Sequence, residues 1–135
     1  MDLGINGKVA IVGGSSKGLG RASAEALAQE VVSLMLSARN SDTFEQTARQ
    51  IHKTYGSEVR TYPADLELSE SINGLVAETI QHYGKVDILV SNIGGPPPGS
   101  ADTLDESALQ IGIQRTYLFF VRMARAVLPI MKVGS

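Results

Sequence analysis

Short apolar runs alternate with longer amphipathic stretches along most of the chain. The runs at 8–12, 32–37, 58–62 and 86–92 have the length of strands, and the fourth is the most apolar. The stretches between them carry apolar residues three or four positions apart, which predicts helices at 21–30, after Asp42, at 69–84 and at about 104–131. Asp42 stands where the N-cap of the second helix is expected. The last predicted helix is long enough to be divided into two helices.

Four strand–helix repeats indicate an α/β fold in which helices cover both faces of a parallel sheet. Right-handed crossovers give a doubly wound sheet of strand order 3-2-1-4, in which strands one and four end side by side. The two most glycine-rich stretches, 13–20 and 91–99, follow these two strands. Because open parallel sheets bind ligands at such a switch point, we expect a binding crevice there.

Composition is typical of a single globular domain. The 135 residues, 43% of them hydrophobic and 19% charged, suffice for one domain spanning 1–135 with its own core. A net charge of −2 argues against a nucleic-acid partner, and a chain with no cysteine and two separated histidines offers no metal site. No apolar run is long enough for a bilayer and no signal-peptide pattern is visible, so we expect a cytoplasmic protein without a membrane partner.

The stretch that follows the first strand has the spacing G-x3-G-x-G and leads directly into a helix. Glycine permits positive φ and lets a phosphate approach the backbone, and the free N–H groups of the helix N-terminus attract a pyrophosphate. The ATPase phosphate loop is excluded because Ser16, and not glycine, precedes Lys17. The spacing also differs from G-x-G-x-x-G. We therefore predict that a nucleotide binds at Gly14, Ser15, Ser16, Lys17, Gly18, Leu19 and Gly20.

This turn resembles the T-G-x3-G-x-G loop of the short-chain dehydrogenase/reductase family, with Gly13 in place of the threonine. Asp65-Leu66 resembles the adenine-contacting pair of that family, 91–94 (SNIG) resembles its N-N-A-G, and 125–132 resembles the end of its long dimerisation helix. The similarity runs in order from 8 to 132 and is greatest to 3-oxoacyl-carrier-protein reductase-like members, which share a G-G-P-P-P-G loop.

The resemblance implies a Rossmann-type fold and an NAD(P)-dependent oxidoreductase acting on a carbonyl or alcohol, with a 3-oxoacyl thioester-like substrate. It adds Asp65, Leu66, Asn92, Ile93 and Gly94 to the cofactor-binding residues. It also implies a homo-oligomer.

Two basic residues indicate which nicotinamide cofactor is used. Enzymes of this fold place an acidic residue near the end of the second strand for the ribose of NAD, or an arginine for the 2′-phosphate of NADP. Arg39 stands there, no acidic residue lies between 31 and 41, and Lys17 adds a second positive charge. The sequence therefore predicts NADP(H).

The catalytic Tyr-x-x-x-Lys of the family is absent from these 135 residues, because none of the four tyrosines is followed by lysine four positions on. In the family these residues lie on and after a fifth strand, so the resemblance implies a fold truncated before that strand. Thr116 occupies the position of the family's catalytic Asn. We expect this chain alone to be inactive, and a non-catalytic NADP-binding or interaction module is the alternative to an enzyme.

The edge of the sheet and the end of the first helix each carry a structural expectation. The fourth strand would be an apolar sheet edge, and we expect it to be covered by a partner chain, by a further part of the same protein or by self-association. Val31-Val32 stands where the family usually has glycine after the first helix, and a β-branched residue there is expected to prevent a left-handed cap.

Overall fold

A four-stranded parallel sheet lies between two layers of helices in the computed structural model, which describes residues 2–39 and 41–135. Its strand order is β3-β2-β1-β4, so the predicted doubly wound Rossmann-type sheet is confirmed. The elements are β1 (Val9–Gly13), α1 (Gly18–Gln29), β2 (Ser33–Ala38), α2 (Ser41–Tyr55), β3 (Val59–Pro63), α3 (Ser69–Tyr83), β4 (Ile88–Val90), α4 (Glu106–Ile113), a π-helical segment (Gln114–Leu118) and α5 (Phe119–Val127).

The central strands are apolar at consecutive positions because both of their faces are buried. Ala10 and Val12 of β1 pack with α1 and α2 on one face, while Ile11 packs with α3 and α5 on the other. On β2, Leu34 and Met35 divide between the two faces in the same way. Each strand thus joins two cores, which fixes the register of the sheet beneath the glycine-rich turn.

Helix α1 ends in a Schellman motif whose left-handed residue is a valine. The N–H of Val31 donates to Ala28 O at 3.1 Å, and the N–H of Val32 donates to Leu27 O at 3.2 Å. Val31 has φ +59°, a conformation that glycine adopts far more easily. The expectation that a β-branched residue would prevent this cap is wrong: the cap forms, and Val31 is strained in it.

Two predicted boundaries need correction. Helix α2 begins at Ser41, so Asp42 lies inside its first turn and not at the N-cap position that was predicted for it. Strand β4 covers only Ile88–Val90, shorter than the predicted 86–92, because pairing with β1 is limited to those three residues. The apolar run predicted where the chain is extended, but it contained no information on how far a neighbouring strand accompanies it.

Strand β4 is an edge of the sheet and is fixed to β1 at its N-terminal end. The carboxylate of Asp87 accepts from the N–H of Val9 and from Lys85 Nζ, each at 2.9 Å, and Lys8 Nζ lies 3.8 Å away. Burial alone would raise the pKa of Asp87, but the Lys85 and Val9 hydrogen bonds and the two lysine charges outweigh it and lower the pKa. This cluster lies at the opposite end of the strands from the glycine-rich turn.

The predicted last helix does form in two pieces, separated by the π-helical segment. Asp105 caps α4 by accepting from the N–H of Ala108 at 2.8 Å, and α5 ends at Val127, shortly before Pro129. One face of α5 enters the core through Phe119, Met123 and Val127. Among the described residues no helix combines the length and apolarity that crossing a bilayer requires.

Candidate cofactor-binding site

A cleft of about 480 Å³ opens at the carboxyl ends of β1, β2 and β4. This is the switch point predicted from the strand order, since the glycine-rich turn after β1 and the 91–94 segment after β4 meet there. The residues lining the cleft are Gly14, Ser16, Lys17, Gly18, Ala38, Arg39, Thr43, Ala64, Leu66, Asn92, Ile93 and Gly94.

A second cavity, of about 610 Å³, lies between α2 and the outer edge of β3. Its lining mixes Glu45, Glu58 and Glu78 with Arg49 and Arg60 and includes no glycine-rich turn. Because it offers neither a helix N-terminus nor an excess of positive charge, the smaller cleft is the better candidate for binding a nucleotide.

The glycine-rich turn packs so closely on the 91–94 segment that side chains would not fit. A Cβ on Gly14, which has φ +59°, would overlap Asn92 O, and a Cβ on Gly13 would lie 2.9 Å from the same oxygen. A Cβ on Gly20 would overlap Gly14 O. Around Gly18, by contrast, there is open space, and its φ of +59° turns the chain into α1. The turn is therefore compact on its protein side and open toward the cleft.

The predicted turn residues divide into those that line the cleft and those that support it. Gly14, Ser16, Lys17 and Gly18 line it, and α1 starts there without a side-chain cap on its first N–H groups. Ser15 is fully buried and its Oγ donates to Ser37 O at 3.3 Å, so its side chain faces β2. Leu19 is exposed and Gly20 buried, and neither lines the cleft. Ser15 and Gly20 therefore support the turn from its protein side, whereas the exposed Leu19 does neither.

Lys17 and Arg39 lie on the same cleft and are both exposed. Within the described part of the chain neither side chain forms an ion pair, so both charges are available to an anion. Thr43, in the first turn of α2, also lines the cleft and was missed by the sequence analysis. No local motif marks it, because its place on the cleft depends on where α2 lies.

The residues predicted on either side of the cleft are brought together, with one exception. Leu66, Asn92, Ile93 and Gly94 line it, but Asp65 does not. The Asp65 carboxylate accepts from the N–H of Glu67 at 3.1 Å, which makes it part of a local turn beside Leu66.

Thr116 lies in the π-helical segment and outside the cleft lining. Its Oγ1 donates to Gly112 O at 2.7 Å, so the hydroxyl is bound to its own helix. Across residues 2–39 and 41–135, no three His, Asp or Glu side chains gather as a metal site would require.

Comparison with known proteins agrees with this geometry. The family model described as short chain dehydrogenase matches residues 8–135. The 7alpha-hydroxysteroid dehydrogenase of Clostridium sardiniense is 36% identical over 139 residues, covering 97% of this chain and 51% of that protein.

Solved structures show the same similarity. L-sorbose reductase from Gluconobacter frateurii, complexed with NADPH and L-sorbose, superposes with a TM-score of 0.88 at 32% identity, over 96% of this chain and 49% of that one. An alcohol dehydrogenase from Thermococcus sibiricus, complexed with 5-hydroxy-NADP, gives 0.84 at 31% identity, over 91% and 52%. The chain thus spans about half the length of these three proteins. Family model, sequence identity and fold agree, and the chain belongs to the short chain dehydrogenase family.

Proposed function

We propose that residues 1–135 form an NADP-binding domain and that the chain is the cofactor-binding part of an NADPH-dependent oxidoreductase. The observation that carries this proposal is the cleft itself, in which a glycine-rich turn at a helix N-terminus lies beside two exposed cations, Lys17 and Arg39. Relatives support it, since L-sorbose reductase is complexed with NADPH and a similar alcohol dehydrogenase with an NADP derivative.

The residues present fit such a cofactor. The open side of the turn at Gly18 leaves room for a pyrophosphate at the uncapped start of α1, whose N–H groups and dipole favour negative charge. Lys17 and Arg39 supply the positive charge that a ribose 2′-phosphate requires. When bound, NADPH supplies a hydride for a carbonyl carbon. The residues of this chain hold and orient the cofactor through Leu66 on one wall and the 92–94 segment on the other.

For the substrate, we propose a carbonyl compound of the 3-oxoacyl thioester type, reduced to the alcohol. Support comes from the G-G-P-P-P-G loop at 94–99, which follows the cleft-lining segment and resembles that of the 3-oxoacyl-carrier-protein reductase-like branch. Pro96 packs against Gly112 of α4, where a Cβ would lie 2.9 Å from Pro96 Cβ, so the loop is braced beside the cleft.

These 135 residues bind the cofactor without turning over substrate, because no Tyr-x-x-x-Lys pair is present to protonate the product alkoxide. The second candidate function is a nucleotide-binding module without catalysis, which requires the cleft and no Tyr-x-x-x-Lys pair. Assays of the complete gene product with NADPH and an acetoacetyl thioester separate the two: turnover supports the oxidoreductase, and binding without turnover supports the module. Turnover by residues 1–135 alone would show that the active site is wrongly assigned.

Calorimetric titration with NADPH and NADH tests the cofactor assignment. We expect NADPH to bind at least tenfold more tightly, since one charge-assisted hydrogen bond contributes about 1.5–3 kcal/mol. Arg39→Asp should weaken NADPH binding and shift preference toward NADH. Arg49→Asp, on exposed α2 surface outside the cleft, is the matched control and should change neither affinity. Equal loss for both cofactors in Arg39→Asp would refute the role of Arg39.

We also propose that the chain self-associates through the helix formed by α4, the π-helical segment and α5. An apolar stripe runs along it with each side chain about half to two-thirds exposed: Leu109, Ile113, Tyr117, Phe120 and Leu128. A second copy offers the same stripe, and two such faces together bury apolar surface as homodimers do. Sedimentation should show a dimer or larger species that Phe120→Glu dissociates. A monomer at all concentrations would refute this proposal.

A further inference from the structure

The loop between β3 and α3, residues 64–68, forms one wall of the cleft. Its Leu66 is almost completely buried, reaches into the core next to Ile11 and Met35, and lines the cleft at the same time. The loop is bound to the sheet at its start, where the N–H of Ala64 donates to Ala38 O at 3.1 Å. Beyond Leu66 the backbone bonds of the loop are local, such as that from the N–H of Leu68 to Asp65 O.

An ion pair joins the far end of this loop to a distant part of the chain. Arg115 Nε donates to Glu67 Oε1 at 2.6 Å, across 48 positions of sequence. The two side chains are only 32% and 27% exposed, so the pair is better shielded from water than an ordinary surface pair. Removing one partner leaves the other charge partly buried and unpaired, so the ion pair contributes to the stability of the loop conformation.

Arg115 reaches Glu67 from the π-helical segment. A π turn interrupts the regular rotation of side chains along an α-helix, and such turns are frequent at functional sites. Here the segment separates α4, which braces the 94–99 loop through Gly112, from α5, which enters the core. The ion pair therefore connects the wall of the cleft to the same helix that supports the neighbouring loop.

We propose that Glu67 and Arg115 are positioning residues for nucleotide binding: their ion pair holds the 64–68 loop so that Leu66 keeps its place against the adenosine half of NADPH. This inference rests on the proposed function. The strand order identifies the half, since the phosphate turn follows β1, Arg39 follows β2 and Leu66 follows β3, at increasing distance from β4. Neither Glu67 nor Arg115 lines the cleft, so both act through Leu66.

A double-mutant cycle on ligand binding tests the proposal. Glu67→Gln, Arg115→Met and the double variant are titrated with NADPH, with adenosine 2′,5′-bisphosphate and with nicotinamide mononucleotide. We expect each single variant to bind NADPH and the bisphosphate about tenfold more weakly, and the double variant to be no weaker than the singles, because the pair acts as a unit. Binding of the mononucleotide should stay as in the wild type. Arg115→Lys should restore part of the affinity.

The control pair is Glu45 and Arg49 on α2, an ion pair between exposed side chains outside the cleft. Glu45→Gln and Arg49→Met should leave all three affinities unchanged. Strictly additive losses at Glu67 and Arg115, or equal losses for both halves of the cofactor, would overturn the proposal, because either result describes general destabilisation.

Amide hydrogen exchange in the free protein separates this proposal from the proposed function. Glu67→Gln and Arg115→Met should speed exchange at 64–68 by about as much as they weaken bisphosphate binding, with the rest of the sheet unchanged. Unchanged exchange at 64–68 overturns the role of the pair even if NADPH binds. If the wild type binds neither NADPH nor the bisphosphate, the proposed function is refuted. The role of Glu67 and Arg115 in positioning a nucleotide is then refuted as well, whatever the exchange rates show.

Discussion

Replacing Val31 with glycine and with alanine should invert the usual stability order of these two residues. Val31 occupies the left-handed position of the cap of α1 with φ +59° and is 53% exposed. Val31→Ala removes the two γ-methyl groups of this half-buried side chain and Val31→Gly removes Cβ as well, so the two variants lose similar amounts of packing. What differs is the backbone: alanine keeps a Cβ in a conformation that disfavours it, and glycine does not.

The magnitude follows from two opposing terms. A left-handed conformation costs an L-residue about 1–2 kcal/mol. Relative to alanine, glycine destabilises the folded state by about 0.5–1 kcal/mol, because its unfolded chain has more conformational freedom to lose. Val31→Gly should therefore be more stable than Val31→Ala by about 0.5–1 kcal/mol, a difference of about 2–4 °C in Tm for a chain of this size. The two cap hydrogen bonds, from Val31 and Val32 to the end of α1, persist in both variants.

Urea denaturation at 25 °C, followed by far-ultraviolet circular dichroism, measures both variants. The control is Ala26→Gly, at an exposed position in the middle of α1, where glycine should be less stable than alanine by about 1 kcal/mol. The reasoning is refuted if alanine at position 31 is as stable as glycine or more stable, because the left-handed strain would then be absent in solution.

Two further predictions concern the two ends of the sheet. Gly14→Ala should unfold more easily and bind NADPH at least tenfold more weakly, since its Cβ would overlap Asn92 O, whereas Gly95→Ala has open space and should behave as wild type in thermal melts and titrations. Asp87→Asn should lose about 1–2 kcal/mol of stability between pH 5 and 7. The pKa of Asp87 is lowered below the ordinary 3.8, so its stabilising effect is present above about pH 4 and is lost as the pH falls through the lowered pKa. The free energies of unfolding of variant and wild type, measured by urea titration, should therefore converge in acid. A difference that does not change with pH would contradict this.

The architecture was predictable because each strand and helix has its own period, and because parallel crossovers leave few topologies. The pattern could not show how many residues of a strand pair with its neighbour. For this reason two residues at each end of the predicted 86–92 strand lie outside β4. The αL cap at Val31 was also misjudged. Its two backbone hydrogen bonds and the burial of Val32 outweigh the strain of one valine, and those contacts are visible only in three dimensions.

The site was predictable as a place, and less so as a set of side chains. Glycine spacing located the turn, but spacing does not say which way each Cα–Cβ bond points. Ser15 therefore faces β2, and Asp65 turns toward the backbone of Glu67. Thr43 and Arg115 depend on where α2 and the π-helical segment come to lie, and no local motif encodes either contact.

The sheet order has a consequence for how the molecule assembles. A contact such as that between Ser37 and Tyr62, linking β2 to β3, closes a loop of 25 positions, whereas the contact of Val9 with Asp87, linking β1 to β4, closes one of 78. Chain-closure entropy makes the longer loop about 1 kcal/mol more costly at equal strength. We expect β1, β2 and β3 to associate early in folding and β4 to dock late, so that the crevice between β1 and β4 exists only once the slowest contacts have formed.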